Sequence, residues 1–215
     1  MLRVLTILAA LAGTGSSVAC EIELSDRNFE RLVAVAFGAE YGGGAGIIVK
    51  WEGDVRIAVE GSPNAADRAT VQQVVEELGE LIAPTRISLV TADENVRLHF
   101  APESEFATIL PQYEPVNMGY FWTWWDNVPS IVQAEVLIST TGLTQRERNH
   151  IIREEVTQML GLMRDIWYDT ESIFYSGWTD TERYTESDKR LIGALYCPDV
   201  ESGMDQAELR AVFAD

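Results

Sequence analysis

The chain has 215 residues, 47% of them hydrophobic and 23% charged, which is enough to bury a substantial core and too apolar for a disordered chain. Sixteen Lys and Arg stand against 34 Asp and Glu, for a net charge of −18. That balance argues against binding a nucleic-acid backbone or an anionic membrane surface, both of which need basic patches. With two histidines and two cysteines, a zinc site made only of Cys and His would need Cys20, His99, His150 and Cys197 together.

The first nineteen residues read as a secretory signal. Arg3 supplies a short positive segment, Val4 to Ala12 are apolar apart from Thr6, and Ser17-Val18-Ala19 fits a small-x-small cleavage site. The apolar run is well short of the roughly 20 residues that span a bilayer. We therefore expect a signal peptide over 1–19, a single domain over 20–215, no transmembrane span, and a periplasmic or extracellular location. Two fates are open to Cys20. It is either the lipid anchor of a lipoprotein or the disulfide partner of Cys197, and Ser17 where lipoprotein signals usually carry leucine favours the disulfide.

Ser25-Asp26 caps a helix running to about Gly38, ended by the glycine run of Tyr41 to Gly46. That run lacks the Lys-Ser/Thr of a phosphate-binding loop and reads as a connector. Ile47 to Trp51 and Val55 to Glu60 are expected as strands joined at Glu52-Gly53-Asp54. A helix follows from Asn64 to Ala83, with Val71, Val74, Val75, Leu78 and Leu81 at helical spacing and Pro84 as its stop. Strands are expected at Ile87–Val90, Val96–Phe100, Gly119–Trp125 and Ile131–Ser139, with a short helix at Phe106–Leu110. Helices then run from Thr144 to about Leu162, Ser187 to Tyr196 and Asp205 to Phe213. This order predicts an α+β fold with a mixed, twisted sheet.

The stretch Ile151 to Leu162 carries the chemistry. Overlaid on the zinc-peptidase motif HExxHxxG, it places Glu154 and Gln158 at the two histidine positions, Glu155 at the general-base position and Gly161 at the glycine. Ser172-Ile173-Phe174-Tyr175 resembles the Ser-Ile-Met-Tyr turn of metzincins. Thr185-Glu186-Ser187-Asp188, followed by Leu191 to Tyr196, resembles the last helix of matrixins. Together these resemble a bacterial family of exported domains of unknown function with a degenerate metzincin-like motif.

The resemblance implies a metzincin-like (zincin) catalytic-domain fold with a long motif helix and a C-terminal helix. It also implies a cleft beside Glu154, Glu155 and Gln158, walled by Tyr120, Trp122, Trp124 and Phe174. The third ligand position falls on Arg164, whose cationic guanidinium cannot ligate a metal, with Asp165 one residue later. An amide such as Gln158 is a poor zinc ligand, so a carboxylate–amide pair suits a harder divalent cation better. The expectation is a pseudopeptidase without a metal cofactor that binds a peptide, protein or envelope component. The alternative is a metal-dependent peptidase in which Glu154, Asp165 and His150 hold zinc or another divalent cation and Glu155 activates water.

Plainer readings apply to the same residues. Glu154 and Gln158 can be an i, i+4 hydrogen-bonded pair, and His150, which heads the same column, a capping or surface histidine. His99, on a strand between Leu98 and Phe100, is expected only to pack against neighbours or face solvent. The tryptophan-rich strand can be buried on both faces.

Overall fold

The computed structural model describes residues 22–38 and 45–214. The expected signal segment, Cys20 with its two alternative fates, and most of the glycine run lie outside the described residues. Cys197 is buried and disulfide-bonded.

Helix α1 (Asp26–Ala36) starts at Ser25, whose hydroxyl accepts from the Asn28 amide. Strand β1 (Val55–Gly61) leads to α2 (Ala65–Leu81). There Asn64 and Asp67 cap each other's backbone amides in a capping box. Strands β2 (Ile87–Leu89) and β3 (Val96–Ala101) follow, then a 3₁₀ turn (Glu103–Glu105) and the short α3 (Phe106–Ile109). Strands β4 (Gly119–Trp125) and β5 (Ile131–Ser139) precede α4 (Gln145–Gln158), α5 (Glu186–Leu195) and α6 (Gln206–Val212).

The five strands lie in the order β2-β1-β3-β5-β4. Four run parallel, and β4 joins β5 antiparallel as an edge. This is a mixed α+β architecture with a mostly parallel sheet. Strand alternation divides the side chains between two faces. Val55, Ile57, Val96, Leu98, Phe100, Ala134, Val136 and Ile138 join the main core, which also takes in the apolar faces of α2 and α4. On the other face Ala101, Tyr120 and Leu137 meet Phe106, Leu110 and Tyr113 in a smaller core. Among the described residues no helix is long and apolar enough to cross a membrane.

Two expectations about the backbone are corrected. Residues 47–51 form no strand ladder, only an isolated bridge from Lys50 to Ser130. The segment is threaded through the core, with Ile48 and Trp51 fully buried. Its backbone is satisfied by Met204, Gly203 and Ile131, and the Trp51 indole donates to the Met159 carbonyl at 3.0 Å. A short apolar run buried on all sides has the same sequence pattern as a buried strand.

The motif helix also ends earlier than expected, at Gln158. Leu160 and Gly161 donate back to Thr157 and Gln158 in a tighter turn. Gly161 then takes φ +112°, and a Cβ there would strike the Val49 carbonyl. That collision explains the glycine.

Candidate functional site

Helix α4 is fixed at its start by Thr144 and Glu147, which form a capping box. Arg148 ties it to the end of β5 by donating to the Ser139 and Thr140 carbonyls at 2.9 and 3.0 Å. The Arg148 guanidinium also lies 3.6 Å from Asp67 at the start of α2. Ile152 and Val156 face the main core. With those residues pointing inward, the helical period places His150, Ile151, Glu154, Glu155 and Gln158 along one side of a cleft.

The cleft has a volume of about 160 Å³, with Asn117, Met118 and the first residue of β4, Gly119, on one side and residues 175–179 on the other. Asp165 also lines it. His150 donates from Nδ1 to the Thr181 carbonyl at 2.8 Å, and its Nε2 lies 3.4 Å from Glu154. Burial, the largest influence, pulls the imidazole's pKa down. The Glu154 hydrogen bond and charge, the Thr181 carbonyl and Asp180 together exceed it, so His150 titrates above its ordinary value of 6.5. Next along the column, Gln158 donates its amide to Asp165 at 2.5 Å. Glu155 is buried and pressed against Gly119, where an added Cβ would collide with its carboxylate and with Ile151.

The structure thus brings Glu154, Glu155, Gln158 and Asp165 to one cleft, with Gly161 at the turn below. Arg164 goes elsewhere. Its amide donates to Val35, and its side chain lies across Gly38 at the end of α1. Asp165 reaches the cleft because Ile166 bridges Tyr175, with Ile166 donating to Phe174 and Ser176 donating to Ile166.

The expected aromatic wall is corrected. Tyr120, Trp122 and Trp124 sit on the opposite face of the sheet. Tyr120 is buried there and edge-on to Tyr113, its hydroxyl donating to Gln112 at 2.8 Å, and the two tryptophans are half-buried beside it. Phe174 is fully buried in the main core. The aromatic rim is instead Tyr175 and Trp178, and Trp178 is 67% exposed with its indole donating to Glu147 at 3.1 Å. Sequence reasoning missed Trp178, whose signal was a lone tryptophan in a polar loop.

The Ser172–Tyr175 turn and the start of α5 are one unit. Asp188 is fully buried; it accepts from the Ser172 hydroxyl at 2.6 Å, the Ile173 amide at 3.2 Å and the Thr185 amide at 2.8 Å. Both quoted motifs therefore converge on one carboxylate that holds the cleft wall in place.

Among the described residues no three His, Cys, Asp or Glu side chains are gathered closely enough to hold a metal ion. His150 is occupied by Thr181 and Glu154, and Gln158 and Asp165 by each other.

An α+β protein with a polar, aromatic-rimmed cleft along one helix is the class these features define. The chain belongs to the DUF2927 family of proteins of unknown function, matching it over residues 26–215. No curated protein matches it. Among solved structures it is similar to myroilysin at 12% identity in two cases. One covers 69% of this chain and 95% of the other with a TM-score of 0.44, the second 83% and 99% with 0.46.

Proposed function

We propose that this is an exported, non-catalytic binding protein with a metzincin-like fold, whose cleft beside α4 takes a peptide, protein or envelope component. One observation carries the reading. The two positions that would present imidazoles to zinc hold Glu154 and Gln158, and each is engaged by a protein neighbour, His150 and Asp165 respectively. Zinc in such a site would have to displace both pairs and accept an amide ligand. Export is supported by the signal-like residues 1–19 and by the disulfide at Cys197, a bond that persists in oxidising compartments.

The test is to incubate the protein, purified without a histidine tag, with zinc and a peptide library, and to read both metal content and cleavage. The expected result is substoichiometric zinc and an unchanged library. Stoichiometric zinc with cleavage abolished in Glu155→Gln would overturn the reading in favour of a peptidase using Glu154, Asp165 and His150.

A further inference from the structure

The outer wall of the cleft is anchored at two ends and only lightly held between them. At one end Phe174 is fully buried in the main core, and Ser176 donates its amide to the Ile166 carbonyl at 2.8 Å. At the other, Tyr184 is buried, its hydroxyl 2.6 Å from that of Thr157 and the Arg153 guanidinium 4.6 Å from its ring centre. None of residues 175–183 is buried. Among the described residues, 177–183 make no backbone–backbone hydrogen bond. What holds this stretch is one short run of α4. The Trp178 indole donates to Glu147 at 3.1 Å, His150 to the Thr181 carbonyl at 2.8 Å and Asn149 to Glu182 at 2.7 Å. Arg146 lies 3.1 Å from the Asp180 carboxylate and 3.5 Å from that of Glu182. Every tie is polar, and the Arg146 side chain is 63% exposed, where solvent screening leaves ion pairs weak. A segment with no buried apolar side chain and no backbone ladder belongs to the low-stability end of a fold.

We propose that residues 177–183 are a strap that swings off α4 to open the cleft and is latched shut by Arg146, Asn149 and His150. This goes beyond the binding reading and does not depend on which occupant the cleft takes. The anchors at Ser176 and Tyr184 fix the ends of the strap, so its release moves the wall and leaves the core in place. Gly177, Trp178 and Thr179 line the cleft, and they leave with the strap. Size supplies the reason for the movement. The closed cleft holds about 160 Å³, against roughly 300 Å³ or more for sites that enclose a ligand. Closed, it has room for little more than one side chain, and a longer occupant enters only when a wall gives way. A strap that closes again behind it shields the contacts inside from water.

Thiol labelling of the full mature protein tests this without a ligand. Met118→Cys places a thiol on the opposite wall of the cleft, and Gln133→Cys places one at an exposed position of β5 for comparison. The unsubstituted protein is the blank. Two reagents are used, iodoacetamide and an uncharged, bulky fluorescent maleimide. Met118→Cys should react readily with iodoacetamide and slowly with the maleimide. Adding Arg146→Ala should raise the maleimide rate about 5-fold, the shift that one net hydrogen bond supplies. Arg146→Ala/Asn149→Ala should raise it further. Sodium chloride at about 0.5 M should act like Arg146→Ala where the arginine is present and add little where it is gone. Gln133→Cys should react at one rate throughout, and thermal unfolding of each variant is recorded alongside. A maleimide rate at Met118→Cys unmoved by both latch variants would overturn the strap, because the wall would then be fixed. Equal acceleration at Gln133→Cys would overturn it as general loosening. Maleimide labelling of Met118→Cys as fast as of Gln133→Cys before any latch residue is changed would overturn it as a cleft that stands open. The zinc and peptide-library test of function is a separate measurement, so failure of either reading leaves the other intact.

Discussion

The molecule has two histidine–carboxylate clusters, and they differ in the surface that carries them, a cleft in one case and a sheet face in the other. On the sheet face away from α4, His99 stands between Glu135, 2.5 Å from Nε2, and Glu60, 3.4 Å from Nδ1. Arg97 approaches the second Glu135 oxygen at 3.2 Å and lies 3.6 Å from Glu94. Charges alternate there, and each group answers its neighbour on a flat face. In the cleft, His150 holds Glu154 and the Thr181 carbonyl, Gln158 holds Asp165, and these pairs line a concavity. Titratable residues are equally dense in both places. A polar-walled concavity makes one a candidate site, and a flat face of paired charges makes the other a brace.

The comparison yields expectations that begin with the largest effect. Asp188→Ala removes a buried carboxylate that accepts three hydrogen bonds, and should cost about 3 kcal/mol in denaturant unfolding. Because it frees the 172–175 turn, it should also abolish peptide binding at the cleft. The back-face cluster should remain sensitive to its own substitutions.

Glu135→Gln weakens the bonds from His99 and Arg97 to a buried carboxylate, for a loss of about 2 kcal/mol. Peptide affinity should be unchanged. Glu154→Gln should do the reverse, with about 1 kcal/mol lost as its bond from His150 weakens and a clear drop in peptide affinity. If Glu135→Gln weakened binding as much as Glu154→Gln, the distinction between brace and site would fail.

The pH dependence of His150 is smaller and has a definite sign. Its pKa in the fold lies above its ordinary 6.5, so its stabilisation is fully present below about pH 6.5 and is lost as pH rises through the folded value. His150→Gln should flatten that part of the stability profile measured by denaturant titration.

How much of this was legible in the sequence depended on how local the signal was. The starts of α1, α2 and α4 could be read because Ser25, Asn64 and Thr144 cap them by short-range hydrogen bonds, whereas α5, expected from Ser187, starts at Glu186 behind the Thr185 cap. The column His150–Glu154–Gln158 follows from helical period alone. Residues 47–51 misled because burial on all sides erases periodicity. The arrival of Asp165 depends on the Ile166–Tyr175 bridge between two loop segments, and no local pattern encodes that pairing. Alternation grouped Tyr120, Trp122 and Trp124 on one face, but it carries no information on which face the cleft occupies. The pairing of Trp122 with Glu135 and Tyr120 with Leu137 places that face opposite α4.

The most direct measurement is backbone-amide chemical-shift mapping of the isotope-labelled protein titrated with a pool of short peptides. Binding through the cleft predicts shifts concentrated at Gly119, residues 150–158 and residues 175–179, with Arg97, His99 and Glu135 unmoved. Shifts confined to the back-face cluster, or none at millimolar peptide, would contradict it.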